Sequence, residues 1–291
     1  MPARPRREEP EVPEGWEWDG SLFEGSAPYY ERGRLPYAAG LPEALRHALL
    51  LDGSGRLLDV GCGPGTVILP LAPMFSEAVG IDPDEGMLAE ARRRGEGAGV
   101  GNVRWVRARA EELPAGLGAF RVAVFAQSFH WMDQERVADT VHRMLTPGGV
   151  FVHISDVKEP LPSAGLPYPV PPTSGIRGLV RRYLGSVRRA GLGVLVRGTP
   201  GGEAVVLARA GFAGPERLRV PADTVLERTV DDVVAWVYSR SDSAPHLFGP
   251  RLAEFDSDLR RLLQEASDGG RFSERVPDTE VFVWRRSATA D

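Results

Sequence analysis

The sequence is almost without lysine. Of its 35 basic residues only Lys158 is a lysine; the other 34 are arginine. No glycine-rich loop closes on a Lys-Ser or Lys-Thr pair, so a nucleoside-triphosphate loop is excluded, and a Schiff-base enzyme would have to use Lys158. Cysteine is as scarce: Cys62 stands alone, no internal disulfide can form, and a reducing cytoplasm is the expected compartment. Five histidines and one cysteine show no metal-ligand spacing, so no metal site is expected. No apolar run approaches the roughly 18 residues of a membrane span. The opening "MPARPRREEPEVPEG" has no apolar signal core, and residues 1–20 read as a disordered tail. A net charge of −5 argues against a nucleic-acid surface.

What is present is enough apolar material, 42% of 291 residues, for one large core with a cap. Five runs repeat one form: "RLLDV" (56–60), "EAVGID" (77–82), "VRWVRA" (103–108), "FRVAVFA" (120–126) and "VFVHIS" (150–155). Near-continuous apolar strands of this kind suit a parallel sheet covered on both faces. Helical stripes lie between them, Met87-Leu88-Ala91 after Pro83 and Val137-Val141-Leu145 after Asp133, which is placed to cap. A leading helix carries Leu41, Leu45 and Leu49. "KEPLPSAGLPYPVPPTSG" (158–175) is too long for a plain connection and reads as a lid or insertion. A helix with Ile176, Val180, Tyr183 and Val187 apolar follows; Arg177, Arg181 and Arg188 beside them read as a solvated face, with protein docking as the alternative. Further helices are expected at 229–239 and 250–266, and "EVFVWRR" (280–286) is a late strand. The predicted fold is α/β: a doubly wound Rossmann-like sheet of about seven strands, helices on both faces, and a helical cap. Its expected parts are residues 21–155 (N-terminal helices and core), 156–200 (lid insertion) and 201–291 (completion of the sheet with cap helices).

The segment "LLDVGCGPGT" (57–66) places Gly61, Gly63 and Gly65 between a strand and an apolar helix. Glycine leaves no side chain between backbone and ligand, and amides at the helix start can meet an anion. Pro64 inside the loop and Thr66 at the sixth position depart from the nicotinamide fingerprint. Asp82 ends the next strand, where a carboxylate either accepts both ribose hydroxyls or caps the helix beginning at Pro83. "FAQSFHWMD" (125–133) ends a buried strand in Gln127, Ser128, His130 and Asp133, more polar groups than a strand end needs without a ligand or a cap.

Together these motifs resemble the core of a class I S-adenosylmethionine-dependent methyltransferase of the small-molecule group. "LDVGCGPG" resembles its first motif, "VGIDPDEGML" the second, "RARAEELP" the adenine-contacting segment, "FAQSFHWMD" the fourth-strand motif and "LTPGGVFV" the turn into the fifth strand. "YYERGRLPY" (29–37) is similar to the N-terminal segment that closes over the cofactor, and "RFSERVPDTEVFVWRR" to a closing hairpin. The resemblance implies that Asp59, Gly61, Gly63 and Gly65 hold the methionine and ribose portion of S-adenosylmethionine. Asp82 takes the ribose hydroxyls, Pro83 and Met87 lie near the adenine, Ala110 and Glu111 meet its edge, and Gln127 and Ser128 sit beside the sulfonium. Cys62 is a small buried residue of the loop. Arg34 pairs either with the cofactor carboxylate or in a surface salt bridge. Tyr29, Phe129, His130 and Trp131 are the candidate acceptor pocket.

His130 is the candidate catalytic residue. A free imidazole has pKa about 6.5 and a phenol about 10, so full proton transfer from phenol is uphill by roughly 5 kcal/mol. His130 therefore assists only if transfer accompanies attack; otherwise it shapes the pocket wall. The implied activity is methyl transfer to O, N or C of a small organic acceptor. The alternatives are non-methylating chemistry on the same cofactor site, such as cyclisation, or a cofactor-binding partner subunit.

Overall fold

The computed structural model describes residues 21–159, 161–186, 189–190, 193–194 and 202–287. The expected tail at 1–20, the helix residues Val187 and Arg188, and the end of the insertion at 195–200 lie outside them.

Five strands form where the apolar runs predict them: β1 (Arg56–Val60), β2 (Glu77–Asp82), β3 (Val103–Arg107), β4 (Phe120–Ala126) and β5 (Leu145–Asp156). β5 starts earlier than expected, at Leu145, so "TPGG" belongs to the strand rather than to a turn before it. A two-residue pair, β6 (Arg189–Ala190) and β7 (Gly193–Val194), lies within the expected insertion. Then come β8 (Phe212–Val220), β9 (Val225–Thr229), β10 (Arg271–Arg275) and β11 (Thr279–Arg286). The main sheet has seven strands in the order β3-β2-β1-β4-β5-β11-β8. The first five run parallel, and β11 enters antiparallel between β5 and β8. The chain reverses direction across the sheet between β1 and β4, so the carboxyl ends of these two strands flank the crevice where ligands bind in such folds.

The helices are α1 (Ala27–Gly33), α2 (Leu41–Ala48), α3 (Ile68–Leu71), α4 (Glu85–Gly97), α5 (Gln134–Met144), α6 (Thr173–Leu184), α7 (Glu203–Arg209), α8 (Val230–Tyr238) and α9 (Leu252–Ala266). Strand side chains alternate between faces: Leu57, Val122 and Val124 pack with Leu45, Ile68 and Leu88 of α2, α3 and α4, while Leu58, Ala123 and Phe125 pack with Val137 of α5 and Leu207 of α7. A separate core joins α6, α8 and α9 through Ile176, Tyr183, Val237, Phe255 and Leu259. This is the helical cap.

Two sequence expectations change. "RFSERVPDTEVFVWRR" is not a hairpin: β10 pairs antiparallel with β9 in its own two-stranded sheet, and β11 pairs with β5 and β8. The Pro-rich stretch is strapped along β10, where the Ser273 amide donates to the Pro169 carbonyl at 3.0 Å and Arg275 Nε to the Pro162 carbonyl at 2.9 Å. Among the described residues no helix is long and apolar enough to cross a membrane.

Candidate active site

A cavity of about 420 Å³ opens at the carboxyl edge of β1, β4 and β5. Its floor is the loop after β1, where Gly61 and Gly63 take φ of 71° and 52°. A Cβ on Gly63 would touch nothing within 4 Å, whereas one on Gly61 would strike the Ser128 Cβ at 2.7 Å. Gly61 is thus required by the close approach of the ends of β1 and β4, and Gly63 keeps the backbone open. Gly65 (φ 80°) serves packing instead, since a Cβ there would press on Leu69 and Trp105 at 3.1 Å.

Asp59, the last acid of β1, is 1% exposed and borders this cavity. Neither carboxylate oxygen has a hydrogen-bond partner among the described residues. Burial, and then the charge of Asp82, push its pKa up to about 8, with the Ile68 backbone pulling weakly the other way. Asp82 differs. It accepts from the Gly63 amide and from the Asp84 amide, both at 2.9 Å, and burial still raises it to about 6. Asp82 braces the glycine loop from below and does not border the cavity. Nor does it cap α4. Asp84 does, accepting from the Met87 amide at 2.9 Å.

Beyond β4, Gln127 adopts φ 54°, a left-handed conformation that an unbranched residue tolerates at a cost. Its Nε2 donates to Asp156 Oδ2 at 3.1 Å. Asp156 ends β5 as Asp82 ends β2; burial raises its pKa, opposed by Arg34, Gln127 and Lys158. His130 and Trp131 follow in a short 3-10 turn on the cavity wall, their rings tilted at 4.7 Å. Phe23 meets Trp131 edge-on at 6.4 Å and closes the opening.

The roof is the N-terminal segment. Arg34 donates to the Ser239 carbonyl at 2.8 Å and lies over the Tyr30 ring. Its Nε is buried without a hydrogen-bond partner among the described residues, and no surface salt bridge to it forms there. Tyr37 lines the same wall, its phenol held neutral well above the usual range by burial and by the neighbouring Tyr30, Asp156 and Asp59. The Ser26 hydroxyl donates to the Tyr238 carbonyl at 2.7 Å, and buried Arg228 donates to the Arg32 and Gly33 carbonyls. These bonds fasten α1 to the cap. α1 and α8 approach so closely that a Cβ on Gly33 would lie 2.4 Å from the Ala235 carbonyl.

Residues 57–149 match the family described as methyltransferase domain. That stretch is similar to a methyltransferase domain. The chain is 36% identical over 132 residues to an uncharacterized methyltransferase of Mycobacterium tuberculosis, covering 45% of this chain and 51% of the relative. Over 112 residues it is 30% identical to the ubiquinone biosynthesis O-methyltransferase of Rhizobium etli, covering 38% and 44%. The solved structure of the cyclase SpnF shares the fold, with a TM-score of 0.53 at 21% identity over 92% of this chain and 96% of that one. The chain spans about half the length of the curated relatives it matches.

Of the sequence-predicted residues, the cavity gathers Arg34, Asp59, Gly61, Cys62, Gly63, Gln127, His130 and Trp131. Others lie elsewhere for definite reasons. Ser128 turns inward and donates to the Val60 carbonyl at 2.6 Å, joining β1 to β4. Phe129, expected in the acceptor pocket, is fully buried and packs edge-on against Phe125 and Phe151 in the core. Tyr29, also expected there, packs on Tyr238 of the cap at 5.1 Å. Met87 is buried, and Pro83 and Ala110 stay off the cavity. Glu111 Oε1 accepts from the Asp133 amide at 2.9 Å. Asp133 caps α5 as expected, accepting from the Arg136 amide. Sequence reasoning missed Tyr37, Asp156, Lys158 and the Arg240–Asp242 loop. Asp156 had a usable signal: "HISD" is an apolar strand ending in an acid, the pattern of Asp59 and Asp82.

Proposed function

We propose that the protein transfers a methyl group from S-adenosylmethionine to O, N or C of a small organic acceptor. One observation carries the reading. The cavity presents a buried carboxylate with both oxygens unpartnered, Asp59, and a guanidinium with an unpartnered buried nitrogen, Arg34. A buried charge without a partner is costly, and this pair matches the ammonium and carboxylate of an amino-acid zwitterion. The open backbone at Gly63 leaves room for the nucleoside side, and Asp82 holds that backbone in place from below. The residues present fit the cofactor.

When bound, the cofactor supplies a methyl group on a sulfonium, already a strong electrophile. The protein's own share is orientation: Asp59 and Arg34 fix one end, and Gln127, locked by its backbone and by Asp156, shapes the space beyond. Holding a nucleophile in line accounts for much of the rate in such a step. His130, Tyr37 and Asp156 stand on the acceptor side. His130 and Asp156 can take a proton as the nucleophile attacks, and the neutral Tyr37 phenol can donate a hydrogen bond that orients the acceptor.

Calorimetry with S-adenosylhomocysteine tests the reading. Micromolar binding by the wild type, lost in Asp59→Ala and weakened in Arg34→Gln, is expected. No binding by folded wild-type protein would overturn it. Incubation with methyl-labelled S-adenosylmethionine and an acceptor panel then separates methyl transfer from cyclisation or rearrangement: bound cofactor with no labelled product favours the latter.

A further inference from the structure

A second cavity, of about 310 Å³, opens between α6 and α8 and shares Arg240 and Asp242 with the first. Its lining includes Ile176, Val180, Trp236 and Val237, an apolar bed, with Arg177 and Arg181 at its rim. The two arginines are one helical turn apart on the same face of α6, an arrangement of like charges that disfavours the helix unless something negative lies between them. Among the described residues neither makes an ion pair; Arg177 only donates to the Thr173 carbonyl at 3.3 Å. Arg240 is different: both its bonds to Asp242 measure 2.9 Å, and it stacks over Trp236 at 4.9 Å. With Asp242 it is a neutralised pair lining both cavities, and the arginines without an ion pair among the described residues sit at the far end. The first cavity has the volume of one ligand site of modest size, much of it claimed by the methionine and ribose portion of the cofactor. The second cavity, adjoining the first across Arg240 and Asp242, offers a longer acceptor the space to extend.

We propose that the acceptor is an anionic amphiphile. Its reacting end lies beside His130, its apolar body lies on Val180 and Trp236, and its carboxylate or phosphate sits between Arg177 and Arg181. Calling this molecule the acceptor rests on the methyltransferase reading; its binding in the second cavity does not.

The test is calorimetry with decanoate, decyl phosphate and 1-decanol below their aggregation limits, with S-adenosylhomocysteine titrated in parallel. Both anions are expected to bind at least tenfold more tightly than the alcohol, the margin typical of hydrogen bonds to a charged group, and to weaken as salt rises. The tighter of the two identifies the head group. Arg177→Gln combined with Arg181→Gln, both exposed positions, should bring the anions down to the level of the alcohol and leave S-adenosylhomocysteine affinity unchanged. Val180→Trp, which fills the apolar bed, should abolish binding of all three. Equal binding of anion and alcohol, or anion binding unaffected by the double substitution, would overturn the proposal and return Arg177 and Arg181 to a solvated helix face. Failure of S-adenosylhomocysteine to bind the wild type would instead sink the methyltransferase reading and leave the cavity result standing.

Discussion

Cofactor affinity should rise steeply with pH, and Asp59 should be the cause. Its carboxyl is pushed up to about 8 because it is buried and lies near Asp82, with only the Ile68 backbone pulling the other way. An ammonium can pair only with the ionised form, so binding below that pKa must first remove a proton. With a pKa near 8, about 3% of the sites are ionised at pH 6.5 and about three quarters at pH 8.5, so the affinity should increase roughly 25-fold, about 1.9 kcal/mol, across that window. Asp82, raised only to about 6, is mostly ionised above pH 6.5 and adds little. The assay is the Kd of S-adenosylhomocysteine measured by calorimetry in two buffers of different ionisation enthalpy. Nearly one proton should be released per site at pH 6.5 and markedly fewer at pH 8.5. Asp59→Asn should bind weakly, with a flat profile and no such proton release. A wild-type Kd constant between pH 6.5 and 8.5, or the same slope in the Asn variant, refutes the argument.

The same ionisation acts on stability. A carboxyl raised in the folded state keeps a proton that the unfolded chain has lost, so its contribution falls as pH rises from about 4 to about 8; Asp59→Asn should gain about 1–3 kcal/mol of stability relative to wild type at pH 8 and little at pH 4, read by urea titration at each pH. Gly33→Ala should cost about 1–3 kcal/mol or more, because the new methyl meets the backbone of Ala235 rather than a movable side chain. It should also weaken S-adenosylhomocysteine binding by displacing Arg34, and an unchanged melting temperature would show that α1 and α8 can separate freely. At position 127, Gln→Val should destabilise more than Gln→Gly, by about 1–3 kcal/mol, since a β-branched residue is poorly suited to φ 54°; equal stability of the two variants would remove backbone strain from the account.

The parts of the site that were legible in the sequence are those built by single strand ends. Asp59, the glycine loop and Gln127 each follow directly from an apolar run, so their position on the carboxyl edge is a local consequence of chain order. Ser128 and Phe129 show the limit of that logic. They neighbour Gln127 in sequence, but the left-handed backbone at Gln127 and the turn that follows send one side chain to Val60 and the other into the core. Alternation along a strand does not survive such a turn. The β8 strand was invisible for a different reason: "FAGPERLRV" is exposed along most of its length and contains a proline, and edge strands carry little apolar signal. Arg240 and Asp242 reach the cavity only because the cap folds back over α1, a contact that joins positions some 200 residues apart.

That long-range contact divides the work of the site. The donor half rests on β1 and β4 and is tied to the cap through Arg34. The acceptor half exists only while α1 is clamped between core and cap by Ser26, Arg34 and Arg228. Arg34 belongs to both halves: it is attached to the cap through the Ser239 carbonyl, and it lines the same cavity as Asp59. A ligand carboxylate on Arg34 would therefore pull the roof toward the floor, and the apolar bed behind Arg240 would be held against the core at the moment the donor is in place. Binding energy from one half is then available to order the other. The cofactor analogue should accordingly tighten decanoate binding in the wild type and fail to do so in Arg34→Gln, even where each ligand still binds on its own. Independent binding of the two ligands in the wild type would mean that the halves are merely adjacent.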